Sequence, residues 1–148
     1  MNPLKMAFLL CVSLLTVLSS RLQAQTYFPS SEGECIRYTA HIEMPKGYIS
    51  GICMLQKEGD VVKGCLFNEF GITALDFTYQ PNQGKVKIHH LVAMMDKWYI
   101  RKVLRKDLVH LMRNLQTGKT CYINQRRHIQ YRFTPDSDST NDIYDTQE

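Results

Sequence analysis

The sequence predicts a mainly β fold, a strongly bent antiparallel sheet or incomplete β-barrel covered by one amphipathic helix. Three observations lead there. Between residues 36 and 92, five β-rich segments follow one another at short spacing. The links between them are turn chemistry of three to five residues, which joins antiparallel neighbours and excludes parallel crossovers. From Asp96 onward the apolar period changes from two to about 3.6, the mark of a helix with one buried face.

The strands are expected at Ile36–Ile42, Tyr48–Gln56, Val61–Asn68, Ile72–Gln80 and Lys85–Val92. Their separators are Met44-Pro45-Lys46-Gly47, Glu58-Gly59-Asp60, Gly71 and Pro81-Asn82-Gln83-Gly84. In the fourth strand Leu75, Phe77 and Tyr79 share one face, and Ala74, Asp76 and Thr78 the other. In the fifth, Val86, Ile88, His90 and Val92 are expected inward, with Lys85, Lys87 and His89 outward. A three-residue loop centred on Gly59 would set Cys53 opposite Cys65 and turn Ile52, Met54, Val62 and Leu66 inward. Gly64 would fall on that side and leave a gap in the lining.

Ile100, Leu104, Leu108, Leu111 and Leu115 form one helical stripe, with Asp96 as N-cap and Gly118 as the stop. Asp107 offers an alternative, the cap of a second helix after a break. Thr120–Asn124 and His128–Thr134 complete the sheet around Gln125-Arg126-Arg127. The helix stripe and the apolar sheet face must bury each other.

The flanks are different in kind. Residues 1–24 carry Lys5 and Arg21, no acid, and an apolar run from Met6 to Leu18. This is the pattern of a cleavable export signal, ending near Ala24. Thirteen residues at 1.5 Å span only about 20 Å, short of the roughly 30 Å of bilayer hydrocarbon. No cysteine sits at the cut, so the expected product is periplasmic or secreted at a bacterial cell envelope, without an N-terminal lipid. Residues 135–148 carry five acids and no base and read as a disordered tail. A single domain, 25–134, remains, with 16 bases against nine acids. That length excludes a large multi-domain enzyme.

Export places Cys35, Cys53, Cys65 and Cys121 in an oxidising compartment. The strand geometry suggests a Cys53–Cys65 disulfide, and elimination then leaves Cys35–Cys121. The alternative is that these are small core residues that stay reduced.

Signals for catalysis are thin. His41, His89, His90, His110 and His128 stand in no catalytic spacing, and His89 and His90 point to opposite strand faces. There is no C-x-x-C or H-x-x-x-H element, and Ser50-Gly51 lacks the frame of a nucleophile elbow. Neither an enzyme, a metal site nor a cofactor is expected. Charge says more. Residues 97–132 carry ten bases against Asp107 alone. Lys97, Arg101, Lys102, Arg105 and Lys106, with Trp98 and Tyr99, would suit an anionic membrane surface or lipid headgroups. Nucleic acid is a poor partner for an exported chain. The plainer alternative is a solvated helix back, partly neutralised by the acidic tail.

Ser50-Gly51-Ile52, the run Asn68-Glu69-Phe70-Gly71-Ile72-Thr73-Ala74-Leu75-Asp76-Phe77, Gly84-Lys85-Val86 and the amphipathic helix together resemble the LolB branch of the LolA/LolB-like lipoprotein carriers. The resemblance covers about residues 35–115. It implies an incomplete barrel with a helical lid around a hydrophobic cavity for lipoprotein acyl chains, with Leu66, Leu75, Phe77 and Val86 facing inward. Unlike LolB, this sequence has no lipobox cysteine. The expected ligand cavity is Ile52, Met54, Val62, Leu66, Leu75, Phe77, Tyr79, Ile88 and Val92 from the sheet, with Leu104, Leu108 and Leu111 from the helix. The expected function is non-enzymatic binding of a lipid or lipoprotein acyl chain. The alternative is an envelope protein-interaction module with a filled core.

Overall fold

A computed structural model describes residues 2–6 and 27–136. The expected export signal, apart from residues 2–6, and the expected disordered tail beyond Asp136 lie outside the described residues. Seven strands run in chain order: β1 (Cys35–Met44), β2 (Gly47–Glu58), β3 (Val61–Asn68), β4 (Thr73–Gln80), β5 (Lys85–Leu91), β6 (Cys121–Asn124) and β7 (Ile129–Pro135). A 3-10 turn at Ala93–Met95 leads from β5 into the helix α1 (Trp98–Gln116). All neighbouring strands are antiparallel, in the order β5-β4-β3-β2-β1-β7-β6. The sheet curls into a half-barrel, with α1 as its cover. The bent sheet with a helix expected from the sequence is the fold observed.

The β2–β3 hairpin departs from expectation by one residue. Glu58 pairs with Val61, so the turn is the two residues Gly59 and Asp60. Gly59 has φ of 59°, which glycine takes at little cost at the first central position of a tight hairpin. In this register Cys53 faces Leu66 and Met54 faces Cys65. Side chains alternate with period two, so the slip moves a whole strand's set to the other face. Cys53 and Leu55 are therefore fully buried, while Met54 is 40% exposed and Ile52 only half-buried on the convex side. The expected inward pair Ile52 and Met54 is thus corrected.

The same slip removes the expected disulfide, because Cys53 and Cys65 lie on opposite faces. All four described cysteines are free. Cys35 and Cys121 are also far apart. Cys121 pairs with Arg132, which pairs with His41, six residues along β1 from Cys35. At about 3.3 Å per residue that is roughly 20 Å, well beyond disulfide reach. Burial, reinforced by Cys65 and Cys35 nearby, pushes the Cys53 thiol far above its ordinary range, leaving it unreactive.

Two bulges shape the β4 side. Leu66 pairs with Leu75 but Phe67 with Thr73, leaving Ala74 as the extra residue. Ala74 is consequently buried beside Leu75, although alternation would put it outside. On the other edge Asp76 pairs with His90 and Phe77 with Ile88, so His89 is extra. Beyond that bulge the phase of β5 changes. His90 is exposed, Leu91 is buried, and Val92 sits half-buried at the margin of the core. His90 is corrected from an inward to an outward residue. Gly64 leaves no gap. A Cβ there would lie 2.3 Å from the Phe77 ring, which occupies the space.

α1 is one uninterrupted helix. Lys97 stands at the N-cap without a side-chain cap, and Asp96 instead pairs with Arg101. Asp107 lies inside the helix on its buried face, so neither aspartate caps a helix. The C-terminus closes as a Schellman motif. Lys119 N–H donates to Asn114 O at 2.8 Å and Gly118 N–H to Leu115 O at 3.2 Å, with Gly118 at φ 83°. The last strand and its anchor also run further than the expected domain end at residue 134. Pro135 ends β7, and Asp136 is held by Arg37 at 3.1 Å and by the Thr39 hydroxyl at 2.9 Å.

With all four thiols free, the intact mass is expected to be the same before and after reductant. Native alkylation should label the exposed Cys121 readily and Cys53 only after unfolding. A mass rise on reduction, corresponding to a broken disulfide, would contradict the register described here.

Candidate functional site

Nine of the twelve residues expected to line the interior share one buried cluster, and Ile52, Met54 and Val92 do not belong to it. Val62, Leu66, Leu75, Phe77, Tyr79 and Ile88 from the sheet meet Leu104, Leu108 and Leu111 from α1 in one buried cluster. The structure adds residues that the sequence reading missed. Tyr38, Ala40 and Ile42 come from β1, Tyr131 and Phe133 from β7, and Met112 from α1, while Leu115 is buried as the helical stripe predicted. Phe28 comes from the segment before β1. It is buried against Tyr79 edge to face, with ring centroids 6.0 Å apart, and plugs one end of the core. Alternation within β1 and β7 carried the signal for the first group. Phe28 belongs to no periodic segment and gave none.

The space between sheet and helix is filled. Leu66, Phe77, Leu108 and Leu111 are wholly inaccessible to solvent. Three clefts lie around this core and are lined mainly by residues outside it. One of about 340 Å³ opens at the plugged end, between Phe28, Lys57, Val62, Pro81 and Gln116. One of about 440 Å³ runs beside edge strand β5, between Lys85, Lys87, Ile88, Arg101 and Arg105. The third, about 290 Å³, lies at the opposite end from Phe28, between the first half of α1 and the β6–β7 turn.

The structure divides the five predicted headgroup-facing residues. Lys97 is exposed just ahead of α1. Arg101 is half-buried, paired with Asp96 and within 3.4 Å of the Ile88 carbonyl, so its charge is engaged by the protein. The Arg101 guanidinium, hydrogen-bonded to the Asp96 carboxyl, holds that acid below its ordinary value. Arg105 stands beside it in the β5 cleft. Lys102 and Lys106 belong to the third cleft, where they meet Arg126 and Arg127.

Among the described residues Asp107 is the one charged side chain buried in the core, at 2% exposure. Its carboxylate accepts from the Asn124 amide at 2.9 and 3.1 Å and from the Tyr131 hydroxyl at 2.8 Å. The Asn124 carbonyl in turn accepts from the Arg127 backbone N–H at 3.1 Å. A helix, a strand and a turn are thereby tied together by one fully partnered polar network. Burial raises the Asp107 pKa, opposed by the hydrogen bonds from Tyr131 and Asn124. Burial and the adjacent carboxylate push the Tyr131 phenol strongly upward. Among the described residues no His, Cys, Asp and Glu side chains cluster to hold a metal ion, and no helix is long and apolar enough to cross a membrane. No protein-family model, curated protein or solved structure matches this chain.

Removing the Asp107 carboxylate orphans Tyr131 and Asn124. Asp107→Ala is expected to cost about 3 kcal/mol, from roughly 1–3 kcal/mol per unsatisfied buried group. Asp107→Asn tests the charge. The folded pKa lies above the ordinary 3.8, so the folded chain binds this proton more tightly than the unfolded one. The group's contribution to stability is then greatest below 3.8 and declines as pH rises through the folded value. Urea unfolding across pH should show the wild-type stability falling relative to Asp107→Asn over that window and levelling above it. A constant difference would contradict this account of Asp107.

Proposed function

We propose that this chain is a non-enzymatic binding protein that takes up an apolar chain, a lipid or lipoprotein acyl group, between the concave sheet face and α1. The observation that carries this reading is the way the half-barrel is closed. The edge strands β5 and β6 do not pair with each other, and α1 packs against both. One helix therefore stands across the open side of an apolar concave surface. Moving it uncovers that surface without breaking a single strand ladder.

The energies are of the right size. Exposing Leu104, Leu108, Leu111, Met112 and Leu115 costs on the order of 10 kcal/mol, at about 1.5–3 kcal/mol per side chain. Burying a chain of about 14 methylenes, at ~0.8 kcal/mol each, offsets that cost. Met95 and Met112 in the lining adapt to a ligand of irregular shape. The cleft beside Phe28 reaches core residues Phe28 and Val62 and forms an entry from the end of the half-barrel. The resemblance to LolB-like carriers and the export-type N-terminus support the same reading, with action at a bacterial cell envelope.

A second reading rests on the filled interior, in which Leu66, Phe77, Leu108 and Leu111 are fully buried. It is an envelope protein-interaction module whose core only supports its surface. A fluorescent long-chain fatty acid separates the two. Saturable binding by delipidated protein, with acyl lipids recovered from the native preparation by mass spectrometry, is the expected result. No binding and no recovered lipid would overturn the carrier reading and leave the interaction module.

A further inference from the structure

Lys102 and Lys106 are one turn apart on α1, and Arg126 and Arg127 lie in the turn between β6 and β7. All four line the cleft of about 290 Å³. All four are exposed, and none is ion-paired to an acidic side chain among the described residues. The single carboxylate in the cleft wall, Asp107, is buried, and its oxygens are occupied by Asn124 and Tyr131. Four cations thus face solvent across one concave surface, with no acidic side chain in a salt bridge to any of them among the described residues.

The two walls are held at a fixed spacing. Asn124 bonds both Asp107 on α1 and the backbone of Arg127, so the arginine-bearing turn is fastened to the lysine-bearing helix. A ligand entering there does not have to order that turn, which lowers the entropy lost on binding. The cleft is also flanked by aromatic rings. Trp98, 76% exposed, sits edge-on to Tyr99 at 5.9 Å between centroids, and both line the cleft. Met94, 81% exposed, precedes them in the link from β5.

We propose that this cleft binds the phosphate of an anionic phospholipid headgroup at a membrane surface. Arginine forks and lysine ammonium groups match phosphate oxygens. Exposed Trp and Tyr beside such cations match the depth at which headgroup gives way to acyl chain. A small free anion would satisfy the four bases and leave the rings without a role, so the rings favour the lipid. This inference stands on the cleft and does not depend on acyl binding in the interior. Either can fail alone.

The test is co-sedimentation of the full chain with vesicles of phosphatidylglycerol in phosphatidylcholine, compared with phosphatidylcholine alone. Trp98 is the sole tryptophan, so its emission reports directly on the cleft. Binding to the anionic vesicles, weakened by salt, with a blue shift of Trp98 emission, is expected. Removing two bases in Lys102→Ala/Arg127→Ala should weaken binding about 25-fold, at about fivefold per base near an anionic surface. Lys85→Ala/Lys87→Ala, in the β5 cleft, should change it by less than about twofold. Circular dichroism confirms that each variant is folded, as its exposed positions predict. Equal losses in both double variants, or no loss in the first, would overturn the proposal, as would binding without a Trp98 shift. Titration with inorganic phosphate alone tests the other source. Phosphate binding that needs Lys102 and Arg127 in the absence of lipid, without vesicle binding, would assign the cleft to a free ion and overturn the lipid assignment.

Discussion

The concave face of the sheet cannot bury itself. Curling brings β5 and β6 toward each other without joining them, so the apolar residues of seven strands depend on α1 to keep out water. Everything distinctive about the chain follows from that constraint. The helix needs one apolar stripe, supplied by Leu104, Leu108, Leu111 and Leu115. It also needs a firm stop, supplied by the Schellman closure at Gly118. Its opposite face is free for charge, and the bases accumulate there. A helix bound mainly by apolar contact to two sheet edges is also the element that can leave while the backbone ladders remain intact.

The polar exception sits at the junction of these demands. Asp107 occupies the buried stripe, one residue before Leu108, where an apolar residue would pack more cheaply. Its three hydrogen bonds from Asn124 and Tyr131 define how the first half of α1 meets β6 and β7. They give a direction to a contact that leucines alone leave indifferent to sliding. The same network fixes the β6–β7 turn, so an internal bond sets the spacing of bases on the surface.

Strands, turns and helix were legible because each rests on local pattern. The seven strands and the helix stripe fall where alternation and the 3.6-residue period put them, apart from a residue or two at the ends. What failed was phase between strands. Gly59-Asp60 serves as a complete two-residue turn, and reading it as a three-residue loop shifted β2 by one position. That single step produced both the mistaken inward pair Ile52 and Met54 and the mistaken Cys53–Cys65 bridge. A glycine followed by aspartate between two alternating runs was the available signal for the shorter turn. The bulges at Ala74 and His89 had no such signal, because they are defined by a partner strand. Asp107 was visible as a polar residue within the apolar stripe. Its partners lie 17 and 24 positions away in sequence, where no spacing rule reaches. The basic cleft was half legible: the lysines appear on one helix face, and only the folded turn adds Arg126 and Arg127.

In the proposed carrier, α1 is a separable cover on a sheet that holds together by itself. Amide hydrogen exchange, resolved by residue under native conditions, tests it most directly. The interior amides of α1 are expected to exchange through an opening smaller in free energy than the one that releases the paired amides of β1 to β4. Exchange of helix and sheet amides with one common free energy, equal to that of global unfolding, would contradict it.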